Sequence, residues 1–253
     1  MSDLPLMHAS GLRLRFGSVT ALDDVSLSIW PGEVLAIVGE SGSGKTTLLR
    51  VLAGLVAPDA GHVTYDGEDV GAMGEAARRR LMRTQWGFVH QNPRDGLRMG
   101  VSAGGNIGER LMATGARHYG DIRAEALHWL SRVEIDAARI DDIPAKFSGG
   151  MQQRLQIARV LVTRPRLVFM DEPTGGLDVS VQARLLDMLR ALAADLGLAV
   201  VIVTHDIAAA RLLAHRLLVM RRGVVVEEGL TDRVLDDPQH AYTQLLVSSV
   251  LAA

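Results

Sequence analysis

Apolar and polar residues alternate over residues 25–30, the two-residue period of a strand with one face in a core. Residues 34–38 form instead an unbroken apolar run, the pattern of a strand covered on both faces. With Pro31-Gly32 as the turn between them, residues 6–38 read as strands. A helix is predicted from Gly44 to about Leu55, stopped by Ala57-Pro58-Asp59. Residues 63–65 then make a strand that turns at Asp66-Gly67.

The middle of the chain changes period. Residues 75–83 are a basic helical stretch and 87–90 a short strand. From 103 to 133 the apolar spacing is helical, with a break predicted at Gly120-Asp121, and Ile143-Pro144 marks a further boundary. A helix is predicted to begin near Met151. Buried strands return at 167–170 and 199–203, with helices at 181–196 and 207–215. Residues 217–220 and 224–226 read as a hairpin about Arg222-Gly223, and 231–236 and 241–250 as terminal helices. Strands alternating with helices imply a mainly parallel sheet with helices on both faces.

Three segments of this pattern carry chemistry. Gly39-Glu40-Ser41-Gly42-Ser43-Gly44-Lys45-Thr46 follows a buried strand and opens a helix, the setting of a phosphate-binding loop. Its glycines let backbone N–H groups reach phosphate oxygens, and the helix N-terminus adds a favourable dipole. Lys45 can reach the β- and γ-phosphates, and the Thr46 hydroxyl can ligate Mg²⁺. In Leu167-Val168-Phe169-Met170-Asp171-Glu172 a buried strand ends in two acids. That arrangement puts carboxylates at the carboxyl edge of the sheet, where Asp171 would hold Mg²⁺ through water and Glu172 would orient or deprotonate an attacking water. Phe147-Ser148-Gly149-Gly150-Met151 offers a second anion-binding helix start, although by geometry alone Ser148 reads first as a plain N-cap, since such caps are common.

Composition narrows the classes. At 253 residues and 48% apolar, the chain is large enough for one α/β domain with an insertion or for two small lobes. With no cysteine, disulfides, thiolate zinc sites and iron–sulfur clusters are excluded. A net charge of −2 gives no overall footprint for nucleic acid. The apolar run at 196–203 is far short of the roughly 20 residues that a bilayer requires. Asp3 stands where a signal peptide would be basic, so a cytoplasmic protein without direct membrane insertion is expected. Residues 78–123 depart from the average: nine arginines against three acids give +6, leaving −8 for the remainder.

Taken together, the three segments resemble the ATPase subunits of the ABC superfamily, whose signature reads Leu-Ser-Gly-Gly-Gln. The likeness covers residues 6–230. It implies an α/β fold: an ABC-type P-loop nucleotide-binding domain with a RecA-like core, an antiparallel β-subdomain and an α-helical subdomain. A single domain over 1–253 is expected, with 1–94 and 161–230 as core lobe, about 95–160 as helical subdomain and 231–253 as tail. The resemblance implies ATP and Mg²⁺ as cofactors and a head-to-tail dimer with a second copy, or alternatively with a related ATPase, the signature facing the γ-phosphate bound to the other protomer. It gives Phe16 the adenine stack and Gln91 the Q-loop. Asp178 would lie in the D-loop at the dimer interface, and His205 would be the switch on the γ-phosphate. The implied nucleotide set is Phe16, Gly39, Ser41, Gly42, Ser43, Gly44, Lys45, Thr46, Thr47, Gln91, Ser148, Gly149, Gly150 and Asp178. Glu172, His205 and Lys45 would be catalytic, and Thr46, Gln91 and Asp171 would serve the metal. Met151 for glutamine, Phe16 for the commoner tyrosine and Gly175-Gly176 for Ser-Ala are departures from the family pattern.

Two branches of the superfamily offer partners. Asp237-Pro238-Gln239-His240-Ala241-Tyr242-Thr243 resembles the dipeptide and nickel importers, which dock on a membrane permease. Residues 86–93 and 102–123 resemble the ATPases of the phosphonate carbon–phosphorus lyase system, and the likeness continues from 169 to the C-terminus. That branch implies a soluble carbon–phosphorus lyase core complex as partner. The arginine-rich segment is the expected docking face for an acidic surface on it.

Overall fold

The structure is a computed structural model that describes residues 4–251; residues 1–3, Asp3 among them, and 252–253 lie outside the described residues. In chain order the elements are β1 (Met7–Phe16), β2 (Val19–Ile29), β3 (Val34–Val38), α1 (Lys45–Leu52), β4 (Ala60–Tyr65), β5 (Glu68–Asp69) and α2 (Glu75–Thr84). Then come β6 (Trp86–Val89), α3 (Pro93–Gly96), α4 (Ala103–Ala113), α5 (Tyr119–Arg132), α6 (Gly149–Leu161), β7 (Leu167–Asp171) and α7 (Val179–Leu196). The chain closes with β8 (Ala199–Val203), α8 (Ile207–Leu213), β9 (Arg216–Arg221), β10 (Val224–Leu230), α9 (Thr231–Asp236) and α10 (Ala241–Leu251). The chain divides into two compact units: residues up to 78 together with those from 193 onward, and residues 79–192.

The first unit contains an antiparallel sheet in the order β2-β1-β4-β5 and the strand series β10-β9-β3-β8. β3 runs parallel to both β8 and β9. Every residue of β3 and β8 is buried, as their unbroken apolar runs require. Glu33, just before β3, accepts from Trp30 N at 2.9 Å and pairs with Arg216 Nε at 3.0 Å. Burial pushes its carboxyl up from the usual range despite that partner.

In the second unit β6 runs parallel to β7, and α4, α5 and α6 pack on one another. Asn106 on α4 is fully buried. Its Oδ1 accepts from Arg98 N at 2.8 Å, and its Nδ2 donates to the carbonyls of Arg98, Val101 and Ser102 at 2.9–3.2 Å. One side chain thus satisfies the backbone of the loop that joins α3 to α4.

Several boundaries differ from the sequence pattern. α1 stops at Leu52 rather than near Leu55, because Gly54 takes φ +66° and closes a turn on Val51 O at 3.0 Å. The break between α4 and α5 falls at 114–118, not at Gly120-Asp121. Gly115 adopts φ +111° and Arg117 donates to the carbonyls of Met112 and Ala116 at 2.8 Å. Gly120 and Asp121 sit in the first turn of α5, where an acid suits the helix dipole. α6 begins at Gly149, before Met151, and α8 ends at Leu213 because the His215 ring accepts from Val34 N at 3.0 Å. Among the described residues no helix is long and apolar enough to cross a membrane.

Asn106→Ala is expected to cost about 2–4 kcal/mol in urea unfolding, since it strands several buried backbone groups at once.

Candidate functional site

The loop at 39–46 leaves β3 at its carboxyl end. Gly39 sits at φ +148°, and a Cβ there would lie 2.1 Å from Met220 O on β9. Gly44 sits at φ +104°, and a Cβ there would lie 2.4 Å from Ala21 O. Neither position tolerates a side chain, so the loop can press against the strands while its backbone faces outward. Ser43 O accepts from Gly223 N in the β9–β10 turn at 2.9 Å, fixing the loop's middle. Lys45 is buried, with Nζ donating to Gly39 O at 2.8 Å and Glu40 O at 2.7 Å. Its ammonium is therefore positioned by the loop's own carbonyls. Thr46 and Thr47 follow on the first turn of α1, and the N-cap is Gly44, which brings no side chain of its own to cap that turn. Ser41 and Gly42 are exposed at the loop's crest.

His205 follows β8 two residues after Val203, whose partner in β3 is Ile37. It leaves the same strand edge as the phosphate loop, and Thr204 N donates to Ile37 O at 3.2 Å. His205 itself is exposed, and Asp206 behind it caps α8 by accepting from Ala209 N at 3.0 Å. Phe16 ends β1 with 56% of its surface exposed, opposite Val19 at 64%. Core packing does not use this aromatic face.

The second unit gathers the other predicted residues. Asp171 ends the fully buried β7 and is itself buried. Glu172 follows in the left-handed region at φ +42°, an uncommon conformation for a non-glycine residue. Its Oε2 accepts from Gln91 Nε2 at 3.0 Å. Gly175 N donates to Glu172 O at 2.9 Å, and a Cβ at Gly175 would stand 3.4 Å from Gln91 Nε2. Gly176 takes φ +74°, so the departure from the family's Ser-Ala matches a turn that favours glycine. Asp178 is exposed, and the neighbouring Val179 is 84% exposed. Ser148 caps α6, its Oγ accepting from Met151 N at 3.3 Å, while Ser148 and Gly149 face solvent. Gly150 is buried, and a Cβ on it would meet Val181 at 2.6 Å. A cavity of about 310 Å³ opens between these segments, lined by Asn92, Gly149, Gln153 and residues 175–177 among others.

Three residues outside the predicted set organise this cluster. Gln156 on α6 is fully buried; it accepts from His90 N at 2.8 Å and donates to His90 O at 3.0 Å and to Gln153 Oε1 at 3.1 Å. It thereby ties the residue before Gln91 to the helix that the signature opens. Gln152 donates to the carbonyls of Pro144 and Phe147 at 3.0 and 3.1 Å, holding the approach to Ser148. Arg139 lies 4.5 Å over the Phe147 ring and 3.6 Å from Met151 Sδ, so the methionine that replaces the family glutamine has a partner. The only hint in the sequence was a run of glutamines inside an apolar helix.

The ABC transporter family pattern matches residues 22–175. The chain belongs to the ABC transporter family. It binds ATP and hydrolyses it, as ABC ATPases do. It is 69% identical to the phosphonates utilization ATP-binding protein PhnK of Escherichia coli K12, over 98% of both chains. It is 38% identical to the oligopeptide transport ATP-binding protein OppD of Mycobacterium tuberculosis, over 94% of this chain but 39% of that protein. Among solved structures, the dimeric ABC cassette MJ0796 bound to ADP and phosphate superposes with a TM-score of 0.81 at 31% identity, covering 89% of this chain and 98% of that one. CbiO1 of Clostridium perfringens, part of the transporter complex cbiONQ, gives 0.82 at 28% identity over 92% and 91%.

Gln156→Leu removes the acceptor of His90 N and one of the two donors to His90 O, leaving Gln153 on the carbonyl. The expected result is a stability loss of about 2–3 kcal/mol by urea unfolding, with ATP affinity unchanged and ATPase turnover reduced.

Proposed function

We propose that this chain is a cytoplasmic ATPase that works as a head-to-tail ABC dimer and drives a soluble carbon–phosphorus lyase complex in phosphonate breakdown. The observation that carries the reading is 69% identity over nearly the whole length of a phosphonates utilization protein. The importer reading rests on the OppD likeness, in which the chain matches less than half of the relative. It would make an ABC permease the partner.

In this mechanism Gly39, Ser41, Gly42, Ser43, Gly44, Thr46 and Thr47 cradle the phosphates of ATP. Lys45 neutralises the β- and γ-oxygens, and Phe16 offers its exposed ring to adenine. Ser148, Gly149 and Gly150 of a second copy close on the γ-phosphate. The exposed pair Asp178 and Val179 crosses the interface, where an 84% exposed valine gains burial. Glu172 orients and deprotonates the attacking water, with Gln91 holding its carboxylate before closure and His205 meeting the γ-phosphate. Phosphate release reopens the dimer, and Gln91 passes the motion through His90 and Gln156 to the helices of the second unit.

Mg²⁺ fits the oxygen donors available. It takes one or two carboxylates with phosphate and water, and Asp171 is a single buried carboxylate rather than part of a three-acid cage, none of which occurs among the described residues. Thr46, Gln91 and Asp171 would hold it, and its charge would offset that of the phosphates.

The partner would dock on α2. That helix buries none of its side chains and exposes Arg79, Arg80 and Arg83. Elsewhere in the basic segment, Arg98 pairs with Glu109 and Arg123 with Asp141, while Arg110 donates to Met82 O. The exposed arginines of α2 would match an acidic protein surface.

Glu172→Gln is expected to keep ATP binding and slow turnover by roughly 10²–10⁴-fold in a phosphate-release assay; wild-type turnover would remove Glu172 from the role of base. Reversing Arg78, Arg79 and Arg80 to Glu should abolish co-purification with the lyase core and leave basal ATPase activity intact. Undiminished capture of the core would refute the docking face, and capture of a permease instead would favour the importer reading.

A further inference from the structure

The Gly39–Glu40 peptide group is held at both ends. Its carbonyl accepts from Lys45 Nζ at 2.8 Å, and its N–H donates to the phenol oxygen of Tyr242 at 2.9 Å. A peptide group is planar, so whatever fixes the direction of its N–H also fixes the direction of its C=O. Tyr242 stands 202 residues from Glu40, on the first turn of α10. Its ring is 7% exposed and lies under the Arg221 guanidinium at 4.8 Å.

The segment that delivers Tyr242 is itself anchored. The Glu227 carboxylate on β10 accepts from Gln239 N at 2.8 Å and His240 N at 3.0 Å, and the His240 ring accepts from Tyr242 N at 3.1 Å. β10 also reaches the loop more directly, through the turn whose Gly223 N donates to Ser43 O at 2.9 Å. A continuous series of hydrogen bonds therefore runs from β10 through residues 239–242 to the peptide that orients Lys45.

We propose that Tyr242 is a positioning residue for nucleotide binding: its hydroxyl sets the Gly39–Glu40 peptide, and through that carbonyl the Lys45 ammonium, before ATP arrives. The proposal rests on the reading of 39–46 as the ATP phosphate loop. The terminal helix is thus part of the nucleotide site although it supplies no group to the phosphates. With the hydroxyl gone, the peptide can rotate and Lys45 loses a fixed acceptor. Both nucleotides should then bind more weakly, while the chemistry in the bound complex is unaffected.

The test is Tyr242→Phe in the full chain, which keeps the ring under Arg221 and removes only the oxygen. Kd for ATP and ADP and KM for ATP should rise about 3–10-fold, with kcat at saturating ATP within about twofold of wild type. Amide exchange over residues 39–46 should quicken in the same variant. Glu227→Gln, which loosens the anchor of the tail, should move Kd in the same direction by less. Unchanged Kd in Tyr242→Phe overturns the proposal, including where thermal stability falls, because that result makes Tyr242 a plain anchor of the tail. Lys45→Ala separates the two readings. If it loses ATP and Tyr242→Phe does not, only the role of Tyr242 fails; if it keeps ATP affinity, the loop assignment fails.

Discussion

A buried ammonium must be given oxygen, and that demand on Lys45 organises the nucleotide loop. Lys45 opens α1 with 6% of its surface exposed, where an unpaired charge would be prohibitive. The carbonyls of Gly39 and Glu40 supply the acceptors, so the chain must fold back over its own lysine within six residues. That path forces φ +148° at Gly39 and brings it against Met220 O, which only glycine permits. The buried strand β3 is needed to launch the loop, and β9 and β10 are needed to back it.

The second unit meets a comparable demand with neutral groups. His90 follows β6 with a backbone N–H and C=O that no strand continues, and Gln156 and Gln153 satisfy them from α6. The hydrogen bonds that close off β6 also join the residue before Gln91 to the helix that Ser148 caps. Glu172 keeps a left-handed backbone while its carboxylate rests on Gln91 at 3.0 Å. A strained residue engaged by a side chain on a separate loop suits a part that changes partners during a cycle.

What the sequence made legible was local. The loop after β3, the acids at the end of β7 and the serine before α6 each carry their signal within a few residues, and each falls at the end of a strand or the start of a helix, although α6 begins two residues earlier than the pattern had it. The break in the long helical stretch was misplaced because Gly120 looked like punctuation. The structure uses Gly115 for the turn and lets His118 cap the next helix. Gln156 and Tyr242 were invisible for another reason. Their partners lie 66 and 202 residues away, and neither a glutamine on a helix nor a tyrosine in a tail announces such a bond. Periodicity reports which face is buried, not which backbone group a polar side chain will find there.

Charge counting suffers from the same limit. The excess of +6 over 78–123 looks like one basic surface, yet part of it is offset by acids within the fold. Glu109 takes both Arg98 and Arg159, at 2.9 and 3.0 Å, and burial with Arg159 nearby lowers the Arg110 guanidinium from its ordinary value. These pairs hold α4 to its neighbours and offset part of the charge. α2 is different in kind: a helix with no buried side chain gains little from the domain that carries it, and its arginines project from a short element at the surface. Such a helix is stabilised most by whatever covers it, so docking and helix order should strengthen together. An acidic partner would then gain both an electrostatic match and a firmer α2, which runs directly into β6 and so toward His90 and Gln91.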